Sequence, residues 1–151
     1  MHFLSALSIF ALSAVVAADG GYSGSCRDPM PMYSGKPILD IECSGTDDNG
    51  DSFYERTMLD LNDCYAVVDD ASIVPRKNGG MGGRCEMCNA SWDGTLSCFC
   101  QDASGDRHLV DVDLNGAIRN VNGHLHCDVD DGGVDSECVG GWSDDIQCDD
   151  L

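Results

Sequence analysis

The sequence predicts an all-β fold built from two pseudo-symmetric tandem repeats with short 3₁₀ turns and disulfide staples. Two short segments, "ILDIEC" (38–43) and "TLSCFC" (95–100), alternate apolar and polar residues, which is typical of strands with one buried face. The phrase "DLN" occurs at residues 60–62 and again at 113–115. The chain also contains 10 cysteines, an even number that suits a set of disulfides.

The N-terminus has the pattern of a secretory signal peptide. Residues 3–18, "FLSALSIFALSAVVAA", are almost wholly apolar, and Val16 and Ala18 suit a cleavage site before Asp19. A membrane anchor is the alternative, but a spanning helix needs about 20 apolar residues. We therefore expect residues 1–18 to be removed, the protein to be secreted and extracellular, and no membrane insertion.

The charge restricts the partners of the chain. Its 151 residues include 8 basic and 27 acidic side chains, for a net charge of −19. Such a chain repels phosphate backbones and anionic lipid surfaces. Nucleic acid is therefore excluded as a partner.

The cysteines predict a disulfide framework, because an even number follows a predicted signal peptide. Each predicted strand ends in a cysteine, and another cysteine precedes it across a segment of turn residues. We expect the bridges Cys26–Cys43 and Cys85–Cys100, with Cys88–Cys98 across the second hairpin. The remaining four, Cys64, Cys127, Cys138 and Cys148, leave three pairings open. A four-thiolate zinc site at "CEMC" and "CFC" is the alternative, less suited to an oxidising compartment.

The repeats run from about residue 21 to 74 and from about 84 to 127. Each begins with a hairpin, followed by a polar loop and a strand that leads into "DLN". In the second repeat, Ile118 and Val121 predict one helical turn, Asn122-Gly123 a tight turn, and Leu125 a closing strand. The linker "RKNGGMGG" (76–83) is flexible by composition. Neither repeat can bury its apolar face alone, so the two should pack together.

Other chemical patterns are weaker. The acidic extension 128–151 contains "DVDDGGVDSE", whose acids do not match the calcium loop, so a solvated tail is preferred. His124 and His126 share a strand face and, with His108, offer a metal or acid–base group that no second motif supports. We expect no catalytic residue, metal or cofactor. Asn89-Ala90-Ser91 is an N-glycosylation sequon in a predicted secreted chain.

Together, Cys26, "ILDIEC", "LDLND", "RC" at 84–85, "CFC" at 98–100 and "VDLNGAIRNVNGHL" resemble the cyanovirin-N homology (CVNH) family of lectins. The resemblance covers residues 21–127 and assigns a domain at 19–127. It implies two halves with exchanged strands and no enzymatic activity. It also implies binding of mannose-type glycans on glycoproteins or cell walls, by a monomer or a domain-swapped dimer.

The resemblance also implies two glycan pockets. The first maps onto Gly21, Gly24, Ser25, Ser44, Thr46, Asn120, Val121 and Asn122. We expect Asn120→Ala with Asn122→Ala to abolish sugar binding and leave the fold intact. The second maps onto Ala66, Val67, Asp69, Gly79, Gly80, Gly83, Gln101, Asp102 and Ala103, and has lost most polar groups, so we expect it to be inactive or retargeted. The alternative function is a secreted structural or interaction protein that kept the scaffold and lost sugar binding.

Overall fold

The computed structural model describes residues 21–32 and 36–129. The predicted signal peptide, Cys138, Cys148 and the acidic extension from residue 130 lie outside the described residues. The strands are β1 (Cys26–Arg27), β2 (Ile38–Thr46), β3 (Ser52–Asp60), β4 (Tyr65–Val67), β5 (Ile73–Pro75), β6 (Cys85–Ala90), β7 (Thr95–Gln101), β8 (Arg107–Asp113), β9 (Ile118–Val121) and β10 (His124–Cys127). Short 3₁₀ turns cover Tyr22–Gly24, Met81–Gly83 and Leu114–Gly116.

The strands form two three-stranded antiparallel sheets, β1-β2-β3 and β6-β7-β8, and two hairpins, β4-β5 and β9-β10. Each sheet packs against the hairpin of the other repeat. The amide of Leu125 in β10 donates to Thr57 Oγ1 in β3 at 3.2 Å. The amide of Ala103, beyond β7, donates to the carbonyl of Asp69, beyond β4, at 2.9 Å. The prediction of an all-β fold with exchanged strands and 3₁₀ turns is therefore confirmed.

The core lies between each sheet and its covering hairpin. Strand alternation places Leu39, Ile41 and Cys43 on the inner face of β2, and Leu96 and Cys98 on that of β7. Burial of one such leucine or isoleucine contributes about 1.5–3 kcal/mol. None of the described residues forms a helix long and apolar enough to cross a membrane.

The repeated "DLN" phrase joins the two repeats by hydrogen bonds. Asp60 Oδ1 accepts from the amide of Asn62, and Asp113 Oδ1 from the amide of Asn115, both at 2.9 Å, which caps the turn. The side chain of Asn62 then reaches the linker to the second repeat, and that of Asn115 reaches the start of the first repeat. Asn62 Oδ1 accepts from the amide of Gly82 at 2.7 Å, and Asn115 Oδ1 from that of Ser23 at 3.1 Å. The phrase occurs twice because each repeat must dock on its partner.

The disulfides confirm the three predicted bridges, Cys26–Cys43, Cys85–Cys100 and Cys88–Cys98. Cys64–Cys127 is the fourth bridge among the described residues, and it ties the first repeat to the second. The sulfurs of Cys85, Cys98 and Cys100 lie within 4.8 Å of one another. All three belong to disulfides, which favours the disulfide interpretation over a thiolate zinc site.

Two local expectations were wrong. Residues 118–121 form strand β9 and not a helical turn, because Ile118 is buried and pairs with Cys127 across the hairpin. The helical turn occurs earlier, in the "LNG" that Asp113 caps. The linker 76–83 is hydrogen-bonded to the first repeat, since the amide of Gly80 donates to the carbonyl of Asn62 at 2.8 Å. Its glycines permit this close approach and do not leave it a free tether.

Candidate functional site

The first carried-over pocket forms around the β9-β10 turn. Asn122 and Gly123 both have positive φ, 52° and 97°, as a tight two-residue turn requires. Asn122 Oδ1 accepts from the amide of Thr46 at the end of β2, at 2.7 Å. Gly45 permits this contact, because a Cβ there would lie 2.7 Å from the carbonyl oxygen of Asn122. The turn is therefore fixed against β2.

Asn120 clamps the pocket from below. Its Nδ2 donates to Ser25 Oγ at 2.9 Å and to the carbonyl of Ser44 at 2.8 Å. Its Oδ1 accepts from the amide of Gly123 at 2.8 Å. These bonds join pocket residues of both repeats in one hydrogen-bond network. All the polar groups of the Asn120 side chain are used in it, so the residue stabilises the fold. Replacing it with alanine would remove three structural hydrogen bonds, so the expectation of an intact fold no longer follows.

Several groups around the clamp point to solvent. Thr46 and Gly24 are exposed, and Val121 is 43% exposed. Among the described residues, the side chains of Ser44 and Thr46 have no hydrogen-bond partner. A Cβ on Gly24 would meet no atom within 4 Å. Two hydroxyls without a described hydrogen-bond partner thus lie at the end of β2, the strand end whose backbone is fixed to the turn.

Two residues under this turn, Phe53 and Glu55, were not predicted from the sequence as part of the pocket. The ring of Phe53 lies against Gly45 and against Gly123, where a Cβ would come within 3.1 Å of it. His124 Nε2 lies 3.4 Å from Glu55 Oε1, which forms an ion pair when the histidine is protonated. The pairing of Phe53 with Gly45 across β2 and β3 places the phenylalanine ring here. Period-two alternation along β3 would have indicated this face.

The second carried-over pocket is closed by Arg84. Its Nη1 donates to the carbonyl of Val67 at 3.1 Å, and its Nη2 and Nε donate to the carbonyl of Gln101 at 2.7 and 3.0 Å. Repeat alignment on "DLN" makes Val67 equivalent to Asn120, and alignment on Cys26 and Cys85 makes Arg84 equivalent to Ser25. The arginine therefore supplies the clamp that valine cannot make, and its guanidinium fills the space between β4 and β7.

Beyond Arg84, the rim of this pocket is a structured loop. Asp102 Oδ2 lies 2.9 Å from His108 Nε2, and its Oδ1 accepts from the amides of Ser104 and Asp106. The hydrogen bond with His108, and then those of the two amides, lower the pKa of Asp102. His108 lies on the β6-β7-β8 sheet, whereas His124 and His126 lie on β10. The suggested three-histidine group therefore does not form.

The sequon asparagine, Asn89, is exposed on β6 and faces Ser97 of β7. It lies in the second hairpin, formed by β6 and β7. Its exposure leaves the side chain accessible to solvent.

Comparison with known proteins identifies the domain. The family model described as "CVNH domain" matches residues 22–126, which confirms the resemblance. A designed cyanovirin-N homologue lectin is 26% identical, with a TM-score of 0.55 over 70% of this chain and 96% of that one. No curated protein matches in a sequence search.

Two solved relatives were determined with oligosaccharides. The MoCVNH3 variant in complex with (N-GlcNAc)4 is 16% identical, with a TM-score of 0.57 over 71% of this chain and 96% of that one. Microvirin in complex with mannobiose is 20% identical, with a TM-score of 0.51 over 71% and 97%. At these identities the likeness establishes the fold.

Proposed function

Because the chain belongs to the CVNH domain family, we propose that it is a secreted lectin that recognises mannose-type glycans through the pocket at the β9-β10 turn. The family consists of non-enzymatic lectins, in agreement with the prediction that the chain is not an enzyme. No catalytic role is needed for any residue of the pocket.

The observation that carries the proposal is the pair of free hydroxyls on a rigid frame. Asn120 and Asn122 hold the turn and the end of β2 in one geometry. The side-chain hydroxyls of Ser44 and Thr46 have no hydrogen-bond partner among the described residues. Hydroxyls both donate and accept, as sugar hydroxyls require. Preorganisation lowers the entropic cost of binding a flexible glycan. The exposed Val121 offers an apolar contact beside them.

The relatives support the ligand class. Microvirin binds mannobiose, and the MoCVNH3 variant binds a tetramer of GlcNAc. We propose mannose-type glycans because the intact pocket is the one at the "NVNG" turn, which the resemblance connects with mannose.

One observation favours the alternative of a scaffold without sugar binding. In both halves the strongest polar donors, Asn120 and Arg84, are fully engaged in the fold. If the other polar groups of the two pockets are likewise used by the fold, the surface binds no glycan and the protein acts through protein contacts.

The test is a calorimetric titration of the oxidised protein with α1,2-mannobiose. Thr46→Val combined with Ser44→Ala removes both free hydroxyls and leaves the clamp intact. We expect affinity to fall about 5- to 150-fold, because each of the two lost hydrogen bonds contributes about 0.5–1.5 kcal/mol. Ser104→Ala, an exposed serine in the other half, is the matched control. Unchanged affinity in the double variant would contradict the proposed pocket.

Secretion and glycosylation belong to the same proposal. The apolar stretch 3–18 and the sequon at Asn89 support export through a compartment that oxidises thiols and attaches glycans. Expression in a eukaryotic secretion host, followed by mass spectrometry before and after glycosidase treatment, tests both the cleavage before Asp19 and the occupancy of Asn89.

A further inference from the structure

The sequon Asn89-Ala90-Ser91 lies within the folded hairpin of β6 and β7, and its backbone is fixed there. Asn89 pairs with Ser97 of β7, and Ala90 pairs with Leu96. Ala90 is only 6% exposed. The side chain of Asn89 is exposed, but the tripeptide around it is therefore part of a hydrogen-bonded strand and not a free segment of chain.

The hydroxyl that completes the sequon is used by the hairpin turn. Ser91 Oγ donates to Asp93 Oδ1 and also lies 3.0 Å from the carbonyl oxygen of Thr95. The amide of Ser91 donates to the same carbonyl at 2.8 Å, and its own carbonyl accepts from the amide of Gly94 at 3.1 Å. A glycan acceptor is defined by the asparagine amide together with the serine or threonine hydroxyl two residues later. In the folded hairpin this hydroxyl is already bonded within the chain.

The tip of the hairpin is also held by the second "DLN" phrase. Asn115 Nδ2 donates to the carbonyl of Asp93 at 2.9 Å. The amide of Leu114 donates to the carbonyl of Gly94, also at 2.9 Å. Freeing the sequon for an enzyme would therefore break hydrogen bonds at the strand, in the turn and to the neighbouring 3₁₀ turn.

Two disulfides close the hairpin around the sequon. Cys85–Cys100 and Cys88–Cys98 both join β6 to β7, and Cys88 directly precedes Asn89. When Cys88–Cys98 forms, the two sulfurs are joined, and two electrons and two protons pass from the thiols to the disulfide of an oxidoreductase. From then on, β6 cannot separate from β7 beside Asn89.

We infer that glycan attachment to Asn89 competes with closure of the Cys88–Cys98 bridge, and that the closed hairpin is not an acceptor. In the attachment step, a bond forms between Asn89 Nδ2 and the anomeric carbon of an oligosaccharide. The bond from that carbon to a lipid diphosphate breaks, the diphosphate leaves, and Nδ2 loses one proton to a base of the transferase. The competition runs in one direction, because an attached glycan on this exposed side chain leaves the two thiols free to pair. The inference rests on the proposed secretion and glycosylation and states when the glycan is added.

The two covalent steps fall in the same range of times. Cys98 follows Asn89 by nine residues. At about 5–20 residues per second, it is synthesised about 0.5–2 s after Asn89. A hairpin forms within about 1–10 μs once both strands are present, whereas disulfide formation takes seconds or longer. We therefore expect the secreted product to contain both modified and unmodified molecules.

The first test offers unmodified protein, purified from bacteria, to detergent-solubilised microsomes that supply the transferase and its lipid-linked oligosaccharide. Mass spectrometry should show transfer to Asn89 in the reduced and alkylated chain. Transfer to the oxidised, folded chain should be at least about tenfold slower, because the tripeptide must first open locally. Asn89→Gln is the control for the site. Equal rates on the folded and the unfolded chain would overturn the inference.

The second test measures the occupancy of Asn89 in a eukaryotic secretion host, in cells and medium together, so that misfolded molecules are counted. Cys88→Ala with Cys98→Ala should lower the unmodified fraction about threefold, because the hairpin then closes more slowly beside Asn89. Cys26→Ala with Cys43→Ala removes the corresponding bridge of the first hairpin and should leave the occupancy unchanged.

Three outcomes of these tests contradict the inference. A fully modified wild type would show that closure does not compete with attachment. An equal fall of the unmodified fraction in both cysteine variants would show that the bridge beside Asn89 has no special role. If even the unfolded chain is not modified, the sequon is unused and this inference is wrong, whereas the glycan pocket at the β9-β10 turn is still decided by the mannobiose titration.

Discussion

The disulfide Cys64–Cys127 links the two halves of the protein covalently. Cys64 directly precedes β4 of the first repeat, and Cys127 ends β10 of the second. Their relative exposures are 0% and 1%, so both sulfurs lie in the core. Replacing both with alanine removes this link and leaves the hydrogen-bonded staples in place.

The cost of this change follows from the loop that the bridge closes. The sequence separation is 63 residues, and the Cys85–Cys100 bridge within that loop shortens it to roughly 50. The chain-entropy relation then gives a stabilisation of about 4 kcal/mol at 25 °C. Cys88–Cys98 has a separation of 10, and the same neighbouring bridge shortens its loop to roughly 6, for about 2 kcal/mol. The long bridge should therefore contribute about twice as much.

The assay is equilibrium urea unfolding of the oxidised protein, followed by tryptophan fluorescence and circular dichroism. We expect Cys64→Ala with Cys127→Ala to lower the free energy of unfolding by about 4 kcal/mol, and Cys88→Ala with Cys98→Ala by about 2 kcal/mol. The m-value should rise more in the first variant, because its unfolded state is less constrained. Equal losses, or a larger loss for the short bridge, would refute the loop-closure reasoning.

Two further predictions concern single side chains. The hydroxyl of Tyr65 donates to the carbonyl of Leu114 at 3.3 Å, whereas that of Tyr22 is buried without a partner among the described residues. Tyr65→Phe should cost about 1 kcal/mol in urea unfolding and Tyr22→Phe should be neutral or stabilising, and the reverse order would contradict this assignment. Because the pKa of Asp102 is lowered in the folded state, its stabilisation is present above the ordinary value of 3.8 and is lost as pH falls through the folded pKa. Asp102→Asn should therefore flatten the loss of stability as pH falls below 3.8, relative to the wild type, and an unchanged curve would contradict the lowered pKa of Asp102.

Much of the fold could be predicted from the sequence because local patterns determine it. The alternation in "ILDIEC" and "TLSCFC" defines β2 and β7, and the cysteines at their ends define the cross-strand bridges. Strand alternation and hairpin pairing depend on neighbours along the chain, so a single sequence contains enough information.

The remaining features depend on contacts between the repeats. Cys64–Cys127 forms only because the exchange of hairpins brings β4 and β10 together. The spacing of Ile118 and Val121 predicted a helical turn, and this prediction was wrong. Both residues lie on strand β9, where Ile118 is buried and Val121 is exposed. Three-residue spacing in so short a segment does not separate a helical turn from a strand.

The duplicated scaffold joins hairpin to sheet with a different side chain at each of its two junctions. Where hairpin β9-β10 meets sheet β1-β2-β3, Asn120 on the hairpin donates to the carbonyl of Ser44 on the sheet. Where hairpin β4-β5 meets sheet β6-β7-β8, Arg84 beside the sheet donates both to the hairpin carbonyl of Val67 and to that of Gln101, the residue equivalent to Ser44. The clamp is kept, but a bulky guanidinium replaces a small amide. Under the proposed function, sugar contacts come from groups that the clamp leaves free. Those groups are the hydroxyls of Ser44 and Thr46, so we expect glycan binding to depend on them and not on the asparagines of the turn.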